Sequence, residues 1–409
     1  MGDRGLRVTV PLIASLSLTG MLITGCGPTS NHVGNRAVVP SQTSNGGSNG
    51  RANTTNGSVS EQSNHAGGPN RNSNTSTGAA NPSQGGPVNG SGTWSGWPQS
   101  GQWLSVSVKQ IAELPQGILG NAMALAPDGT PISVGGYTGQ VSITNVYRLL
   151  PTVTTVANLP QRTHDAAVGF VGNTLYVFGG GQAVSYNTVV SVTGGVAKNV
   201  TTLSRPLSDA ASAPLTVGWH QGLAVVGGYD GSVFRTGVAF MSIGNRSSGG
   251  SGSHQSVGGT ASSGRTWKTL FNLTTPVRYP AVASSQNTIY IAGGLSQNGL
   301  SNHVYAWHAS GGPLKSITTL PQGIQKAALF VAGPYLIVVG GETVGGQPSK
   351  RILEIDTRTG LSKIMGNFPT PIADMGYTQS NKTGYIAGGI TTASDISAAR
   401  AVYEIAWHE

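Results

Sequence analysis

The sequence predicts an all-β fold, a six-bladed β-propeller, and two repeated features of the chain support this prediction. The first is a short apolar strand that ends in two glycines, which occurs six times at steps of 44, 48, 66, 47 and 48 residues. Such a period indicates modules that bury their faces against their neighbours. We interpret the paired glycines as structural, because glycine permits close backbone approach and unusual dihedral angles. They are Gly135 and Gly136, Gly179 and Gly180, Gly227 and Gly228, Gly293 and Gly294, Gly340 and Gly341, and Gly388 and Gly389.

The second repeated feature is a leucine or phenylalanine that is followed closely by proline, once in each unit. Each such step precedes a small-residue segment, so a unit contains a proline turn, strands a and b with the diglycine ending strand b, and then strands c and d. Six units of four strands make a six-bladed propeller. The steps are Leu114-Pro115, Leu159-Pro160, Leu203 with Pro206, Leu273 with Pro276, Leu320-Pro321 and Phe368-Pro369.

The two ends of the propeller domain, predicted at 101–409, meet in one blade. After the last diglycine only one clear strand follows, Ala401–Trp407, so the last blade lacks strand d. The segment Trp103–Val108, which precedes the first Leu-Pro step, is predicted to supply it and to close the ring, which removes exposed sheet edges. The long step of 66 residues is explained by a Gly/Ser-rich insertion, Gly244–Gly264, between strands c and d of the third blade.

Composition excludes several classes of function. Only 9% of the residues are charged, whereas glycine numbers 62, which suits strands and turns better than helices. The net charge of +9 is scattered, with Lys350-Arg351 the one adjacent basic pair, so we expect no nucleic-acid partner. Cys26 is the only cysteine, which leaves none for a disulfide or a thiol nucleophile within the propeller. We also expect no cofactor, no bound metal and a monomeric propeller.

The N-terminus resembles that of bacterial lipoproteins. Arg4 and Arg7 precede an apolar run, and Leu22-Ile23-Thr24-Gly25-Cys26 is similar to the lipobox, whose cysteine receives a diacylglyceryl group and further acylation such as palmitate. The resemblance implies a signal peptide at 1–25 and a membrane anchor at Cys26. Residues 26–100, rich in Ser, Asn and Gly, are predicted to be a disordered linker. The expected location is the extracytoplasmic side of a bacterial cell membrane.

The repeat itself resembles the kelch family, whose hallmark is a diglycine at the end of strand b, and the resemblance covers about 300 of the 409 residues. It implies a propeller of the kind found in the central domain of galactose oxidase. Kelch motifs usually carry a spaced Tyr and Trp after the glycines. Here Tyr147, Tyr305 and Tyr403 stand in strand c and Trp267 precedes Leu273, whereas other blades lack both, so this is a divergent kelch-like pattern.

Candidate binding residues form a polar column at the start of strand a, where a buried strand would favour apolar side chains. Counting back fourteen residues from each diglycine finds the column in five blades, and the third joins if an insertion of four residues is allowed. The d–a and b–c loops share one face of a propeller, so polar residues of those loops join the candidates. The candidate ligand-binding residues are Asn121, His164, Asp165, Asp209, Arg278, Tyr279, Lys326, Glu342 and Asp374.

Carboxylates, cations and an aromatic ring suit a glycan, a wall polymer or a protein, so we expect an extracellular binding protein rather than an enzyme. Copper radical oxidases of the galactose-oxidase type need a cysteine crosslinked to tyrosine, which this domain lacks, and the boxes of six-bladed sialidases are also missing. A kelch-type sugar epimerase or mutarotase stays open, since it requires only an acid–base pair, such as His164 with Glu342 or Asp374. A structural envelope protein without a specific ligand is a third alternative.

Overall fold

The computed structural model describes residues 99–243, 265–393 and 398–408, and within them the fold is a six-bladed β-propeller, as predicted. These residues form 26 strands and no helix. Accordingly, the described part of the chain contains no helix with the length and apolar character needed to cross a membrane. The predicted signal peptide, Cys26 and most of the predicted linker lie outside the described residues.

Each blade is a four-stranded antiparallel sheet in which strand a lies innermost and strand d outermost. Blade 1 contains β2 (Ala122–Leu125), β3 (Pro131–Val134), β4 (Ile143–Arg148) and β5 (Thr154–Thr163). Blade 2 contains β6 (Ala167–Val171), β7 (Thr174–Phe178), β8 (Thr188–Thr193) and β9 (Val196–Thr202). Blade 3 contains β10 (Ala211–Val217), β11 (His220–Val226), β12 (Arg235–Ile243) and β13 (Arg265–Val277). Blade 4 contains β14 (Ala281–Ser285), β15 (Thr288–Ala292), β18 (His303–His308) and β19 (Lys315–Thr319). Blade 5 contains β20 (Ala328–Ala332), β21 (Tyr335–Val339), β22 (Ser349–Asp356) and β23 (Ser362–Ile372). Blade 6 contains β24 (Gly376–Gln379), β25 (Thr383–Ala387), β26 (Ala401–His408) and β1 (Ser105–Glu113).

The predicted closure of the ring by the N-terminal strand is confirmed. Strand β1 pairs antiparallel with β26 in the last blade, from Ser105 opposite His408 to Glu113 opposite Ala401. The strand is longer than the predicted segment, because it continues to Glu113. Closure in this way pairs the outer edge of β26, which would otherwise present unpaired backbone groups to solvent.

The regular repeat pattern is interrupted at two places. The predicted Gly/Ser-rich insertion falls between β12 and β13 in the chain and lies outside the described residues. The adjoining strand ends, Ile243 and Arg265, pair with each other. In blade 4 the b–c loop forms an additional two-stranded hairpin from β16 (Leu295–Ser296) and β17 (Gly299–Leu300).

The diglycines join each blade to the next one. In every blade the N–H of the second glycine donates to a backbone carbonyl just before strand a of a neighbouring blade, at 2.7–2.9 Å. In blade 2 this bond joins Gly180 to Leu207, and Gly179 has a φ of 59° with the Leu207 carbonyl directly over its Cα. A Cβ atom at Gly179 would overlap this carbonyl, so the close approach of the two backbones requires glycine.

The core of the propeller consists of six apolar clusters, one between each pair of neighbouring blades. The cluster between blades 5 and 6 includes Phe330, Tyr335, Phe368 and Trp407, together with Leu104 from the segment that leads into β1. Because every sheet is covered on both faces, the inner strands consist of almost uninterrupted buried residues. The architecture therefore leaves the axial channel and the loops at its two ends as the places for ligand chemistry.

Candidate functional site

Six backbone positions at the start of strand a form a closed ring around the propeller axis, which we call the axial ring. At each position the N–H donates to the carbonyl of the corresponding residue in the neighbouring blade, at 2.7–3.2 Å, until the circle closes. All six residues have left-handed backbone conformations, with φ between 52° and 58°. The ring consists of Gly120, Asp165, Asp209, Tyr279, Lys326 and Asp374.

Five of the six ring residues belong to the predicted column, and the exception is in blade 1. Gly120 occupies the ring position there, and Asn121 is the next residue along the chain. The side chain of Asn121 is buried, where its Nδ2 donates to Ser133 Oγ at 2.9 Å and its Oδ1 accepts from the Gly376 N–H at 3.2 Å. The count from the diglycine fails here because the hairpin between β2 and β3 is one residue longer. The glycine itself was the available signal, since it suits a positive φ.

The side chains of Asp165, Asp209, Arg278 and Tyr279 form one closed network. Arg278 Nη2 donates to the Tyr279 hydroxyl at 2.8 Å, and this hydroxyl donates to Asp165 Oδ2 at 3.3 Å. The Asp165 and Asp209 carboxyls are neighbours, and Asp209 Oδ2 lies 2.6 Å from Arg278 Nη2. Residues from three blades are thereby joined, although Asp165 and Tyr279 are 114 positions apart in the sequence.

Burial controls the protonation of this network. It raises the pKa of Asp165 well above the ordinary value, and the neighbouring carboxyls of Asp374 and Asp209 add to the effect. Burial also raises the pKa of Asp209, against the opposing influence of Arg278. Two carboxyls in contact titrate as a pair, and the pair keeps its last proton to a higher pH than an isolated carboxyl does. The protonated form is therefore favoured more at Asp165 than at Asp209, whose carboxyl faces Arg278.

A second network surrounds Lys326 on the other side of the axis. Its Nζ lies 3.1 Å from Asp374 Oδ2 and 3.2 Å from Glu342 Oε1, and these side chains are at most 17% exposed. Gln325, which the column did not identify, donates to Glu342 Oε2 at 2.7 Å. The Asp374 and Glu342 carboxylates hold the pKa of Lys326 above its ordinary value, although burial acts in the opposite direction. This lysine is therefore charged at any physiological pH.

Tyr279 links the two networks through its ring, because Lys326 Nζ lies 4.9 Å from the ring centroid and the Arg278 guanidinium lies 4.6 Å from it. The same guanidinium stacks near Tyr229 and Phe234 of the b–c loop, at 5.0 and 5.6 Å. Such cation–π contacts fix Arg278 at the mouth of the channel. Sequence reasoning missed Tyr229 and Phe234; their place in the loop directly after the third diglycine was the available signal.

His164 lies beside the first network. Its Nδ1 is 2.8 Å from Ser142 Oγ, its ring packs at 5.6 Å against Tyr137, and its Nε2 is 3.8 Å from Asp165 Oδ2. Burial lowers the pKa of His164, so the imidazole is neutral near pH 7. Glu342 and Asp374, which the sequence suggested as its partners in acid–base chemistry, belong to the Lys326 network instead.

We call the end of the propeller that carries the d–a and b–c loops the ring face. The axial ring and the first residues of the inner strands line a pocket of about 110 Å³ within the channel. Below it, toward the opposite face, the channel widens into a cavity of about 550 Å³ whose lining includes no charged side chain. The inner strands are bridged there by side chains, as where Ser212 Oγ contacts both the N–H and the carbonyl of Val168, at 3.0 and 2.6 Å. The charged chemistry of the channel is thus confined to the ring face.

Asp230 is a further acid in a loop of the ring face. Asp230 shapes its own loop, since its Oδ1 accepts from the Ser232 and Val233 N–H groups and its Oδ2 pairs with Arg235. These hydrogen bonds lower its pKa. Asp395 lies outside the described residues. Among the described residues, no group of three or more His, Cys, Asp or Glu side chains is arranged to hold a metal ion.

Comparison with known proteins adds no family assignment: no protein-family model matches this chain, and no curated protein matches it significantly.

Proposed function

We propose that this chain is a lipid-anchored, kelch-like propeller of a bacterial cell surface that binds an extracellular ligand through its ring face. The ligand classes that suit the site are a glycan, a wall polymer and a protein. The proposal combines the lipobox-like sequence at Cys26, the diglycine repeat and the charged chemistry of the axial ring.

One observation carries the binding function, namely the residue types at the axial ring. The backbone there is left-handed in all six blades, so glycine would be the unstrained choice in each. Blade 1 has glycine, whereas the other five have three aspartates, a tyrosine and a lysine. A left-handed non-glycine residue costs roughly 1 kcal/mol or more, and Tyr279 and Lys326 tolerate it less well than aspartate. Retained strain of this kind clusters at functional sites.

The place where the chain enters the propeller supports a ring face that is directed away from the membrane. Strand β1 is an outermost strand that starts at the end of the propeller opposite the ring face. The residues just before it bind that opposite end, where Leu104 N–H donates to Glu354 Oε1 at 3.2 Å and Tyr335 donates to the Gln102 carbonyl at 2.8 Å. The first residues that the structure describes therefore enter the propeller on the side away from the axial ring.

The binding proposal is tested with the full chain, purified in detergent, on an array of glycans, wall polymers and displayed peptides. We expect a ligand that binds the wild type and is lost in Asp165→Ala, Asp209→Ala and Asp374→Ala. Asp128→Ala is the control, because Asp128 is an exposed aspartate in the β2–β3 turn at the opposite end. Thermal melting of each variant separates lost binding from lost folding. If nothing on the array binds, the binding proposal is contradicted, and a structural envelope protein without a specific ligand is the remaining alternative.

A sugar epimerase or mutarotase is a second candidate, favoured by one specific observation. His164 Nε2 lies 3.8 Å from Asp165 Oδ2, and burial raises the pKa of the Asp165 carboxyl and lowers the pKa of the imidazole, which favours the neutral form of each. Opening a sugar hemiacetal requires an acid at the ring oxygen and a base at the anomeric hydroxyl. The test is the rate of anomer interconversion by NMR. Catalysis that disappears in both Asp165→Asn and His164→Gln would establish the enzyme, and a rate equal to that of buffer alone would exclude it.

A further inference from the structure

The cavity at the end of the channel opposite the ring face is lined by the innermost strand of every blade. Its volume of about 550 Å³ lies within the range of roughly 300 to 1,000 Å³ that is usual for pockets that enclose small molecules. Two layers of residues line it, three and five positions after the axial ring, and each blade contributes one residue to each layer. The upper layer consists of Met123, Val168, Ser212, Val282, Leu329 and Tyr377, and the lower layer of Leu125, Phe170, Pro214, Ser284, Val331 and Gln379.

The main-chain groups of both layers face the cavity. Strand a is an edge strand in every blade, because it pairs only with strand b, and alternate residues of such a strand direct their N–H and C=O groups away from the sheet. Side chains of other blades bind these groups at Val168, Val282 and Val331, so the layer positions are the outward ones. All six blades have the same register, since each upper-layer residue pairs with the residue two before the diglycine.

Two hydroxyl groups of the protein show what kind of group binds such a main-chain pair. Ser212 Oγ accepts from the Val168 N–H at 3.0 Å and donates to the Val168 carbonyl at 2.6 Å. The Tyr377 hydroxyl acts in the same way at Val282, at 2.7 and 3.0 Å, although Tyr377 belongs to blade 6 and Val282 to blade 4. A hydroxyl fits because it donates and accepts at one atom.

A carboxamide binds a third pair, and most of the remaining pairs have no such partner. Gln379 Oε1 accepts from the Val331 N–H at 2.7 Å, and its Nε2 donates to the Val331 carbonyl at 3.1 Å. Ser284 donates to the carbonyl of Pro214, which has no N–H. No side chain of the described residues binds the main-chain groups of the other eight layer residues, which are Met123, Leu125, Phe170, Ser212, Ser284, Leu329, Tyr377 and Gln379. The wall therefore offers further donor–acceptor pairs of the kind that a hydroxyl or an amide bridges.

The cavity also selects against charge. Its lining includes no charged side chain, so an ion inside it would lose its hydration without gaining a partner of opposite charge. Apolar surface from Met123, Phe170 and Leu329 lies between the polar edges of the strands. A sugar ring has the matching chemistry, because its hydroxyls lie around the edge of the ring and its C–H groups cover the two faces.

We propose that the channel end opposite the ring face is a second ligand site, which binds a neutral sugar of one or two rings through hydrogen bonds between its hydroxyl or acetamido groups and the edges of the inner strands. The lining includes Gln286 and Asn381, which are exposed residues of a–b turns, so the cavity is accessible from this end. The site is separate from the ring face, and the inference does not depend on the function proposed for that face.

The experiment measures sugar binding to the full chain by titration calorimetry, in a detergent that has no sugar head group. The probes are glucose, galactose, N-acetylglucosamine, cellobiose and lactose, together with the ionised counterparts glucuronate, galacturonate and glucosamine. We expect at least one neutral sugar to bind. Its counterpart with the same ring and one charge should bind at least about 100-fold more weakly, because the cavity leaves that charge unpaired.

Two asparagines provide a matched pair of variants. Asn381 and Asn173 are both exposed and stand in the a–b turns of blades 6 and 2, but of the two only Asn381 lines the cavity. Asn381→Trp should abolish sugar binding, because the indole obstructs the mouth of the cavity, whereas Asn173→Trp should bind as the wild type does. Thermal melting confirms that both variants are folded, and a crystal structure of the complex locates the sugar directly.

Several outcomes overturn the inference, and they are distinct from failure of the proposed function. If none of the sugars binds, or an ionised sugar binds as tightly as its neutral counterpart, the neutral site is wrong, whatever binds the ring face on the array. If the crystal structure places the sugar outside the cavity, the location is wrong. If binding survives in Asn381→Trp but is lost in Asp165→Ala and Asp374→Ala, the sugar binds at the ring face, so the second site is wrong while the proposed function stands.

Discussion

The Glu354→Gln substitution should stabilise the propeller at neutral and alkaline pH, because Glu354 is a carboxyl group with no exposed surface. It lies on β22, where its Oε1 accepts from the Leu104 N–H at 3.2 Å, while its Oε2 has no hydrogen-bond partner among the described residues. Burial raises the pKa of Glu354 to about 7, from an ordinary value of 4.5, and nearby Asp356 adds to this whereas Lys363 opposes it.

The direction and the size of the effect on stability follow from these pKa values. Below pH 4.5 both the folded and the unfolded protein hold the proton, so burial of Glu354 has no ionic cost. Between pH 4.5 and about 7 only the folded state holds it, so the contribution of Glu354 to stability falls as the pH rises. At 1.36 kcal/mol per unit of pKa, the total loss is about 3 kcal/mol at pH 8. Glutamine keeps an acceptor for Leu104 and never ionises.

The assay is thermal unfolding of wild type and variant from about pH 4 to pH 8, followed by circular dichroism. The two proteins should melt together at the acidic end, and Glu354→Gln should melt roughly 6 °C higher at the alkaline end, at about 2 °C per kcal/mol for a large domain. Glu113→Gln is the control, as Glu113 is a half-exposed glutamate on β1. A variant that is less stable than wild type at alkaline pH would refute the reasoning, because it would mean that the carboxylate has a stabilising partner.

Three other predictions concern the anchor, the diglycines and the second charged network. Cys26→Ser should release the protein from the membrane fraction into the medium, as measured by immunoblot, and retention would count against a lipid anchor. Gly179→Ala should lower stability by at least about 2 kcal/mol more than Gly172→Ala, because both have similar positive φ but only Gly179 faces a backbone carbonyl. Lys326→Met should cost about 3 kcal/mol near pH 8 in chemical denaturation, since it leaves the Asp374 and Glu342 carboxylates without their cation. A loss well below that value would contradict a stabilising role for these two ion pairs.

The spacing of the diglycines was enough to predict the number of blades and the role of the N-terminal strand. Both are properties of the chain order: a strand that is missing after the last diglycine must come from elsewhere, and the segment before Leu114 is the available one. The column at the start of strand a was also visible, because five of its members stand at a repeated distance from a glycine. The same count placed Asn121 on the ring instead of Gly120, since it assumes hairpins of equal length.

Sequence alone thus determined an all-β propeller with six blades, its closure and a polar column at the start of strand a. Only the tertiary structure decided which of those residues meet and in what state of charge. The contact of Tyr279 with Asp165 joins residues of non-adjacent blades, and the raised pKa of Asp165 depends on burial produced by several blades together. The physical reason is that strand periodicity is a local property of the chain. The pairing and desolvation of charges at the axis arise only when all six blades converge.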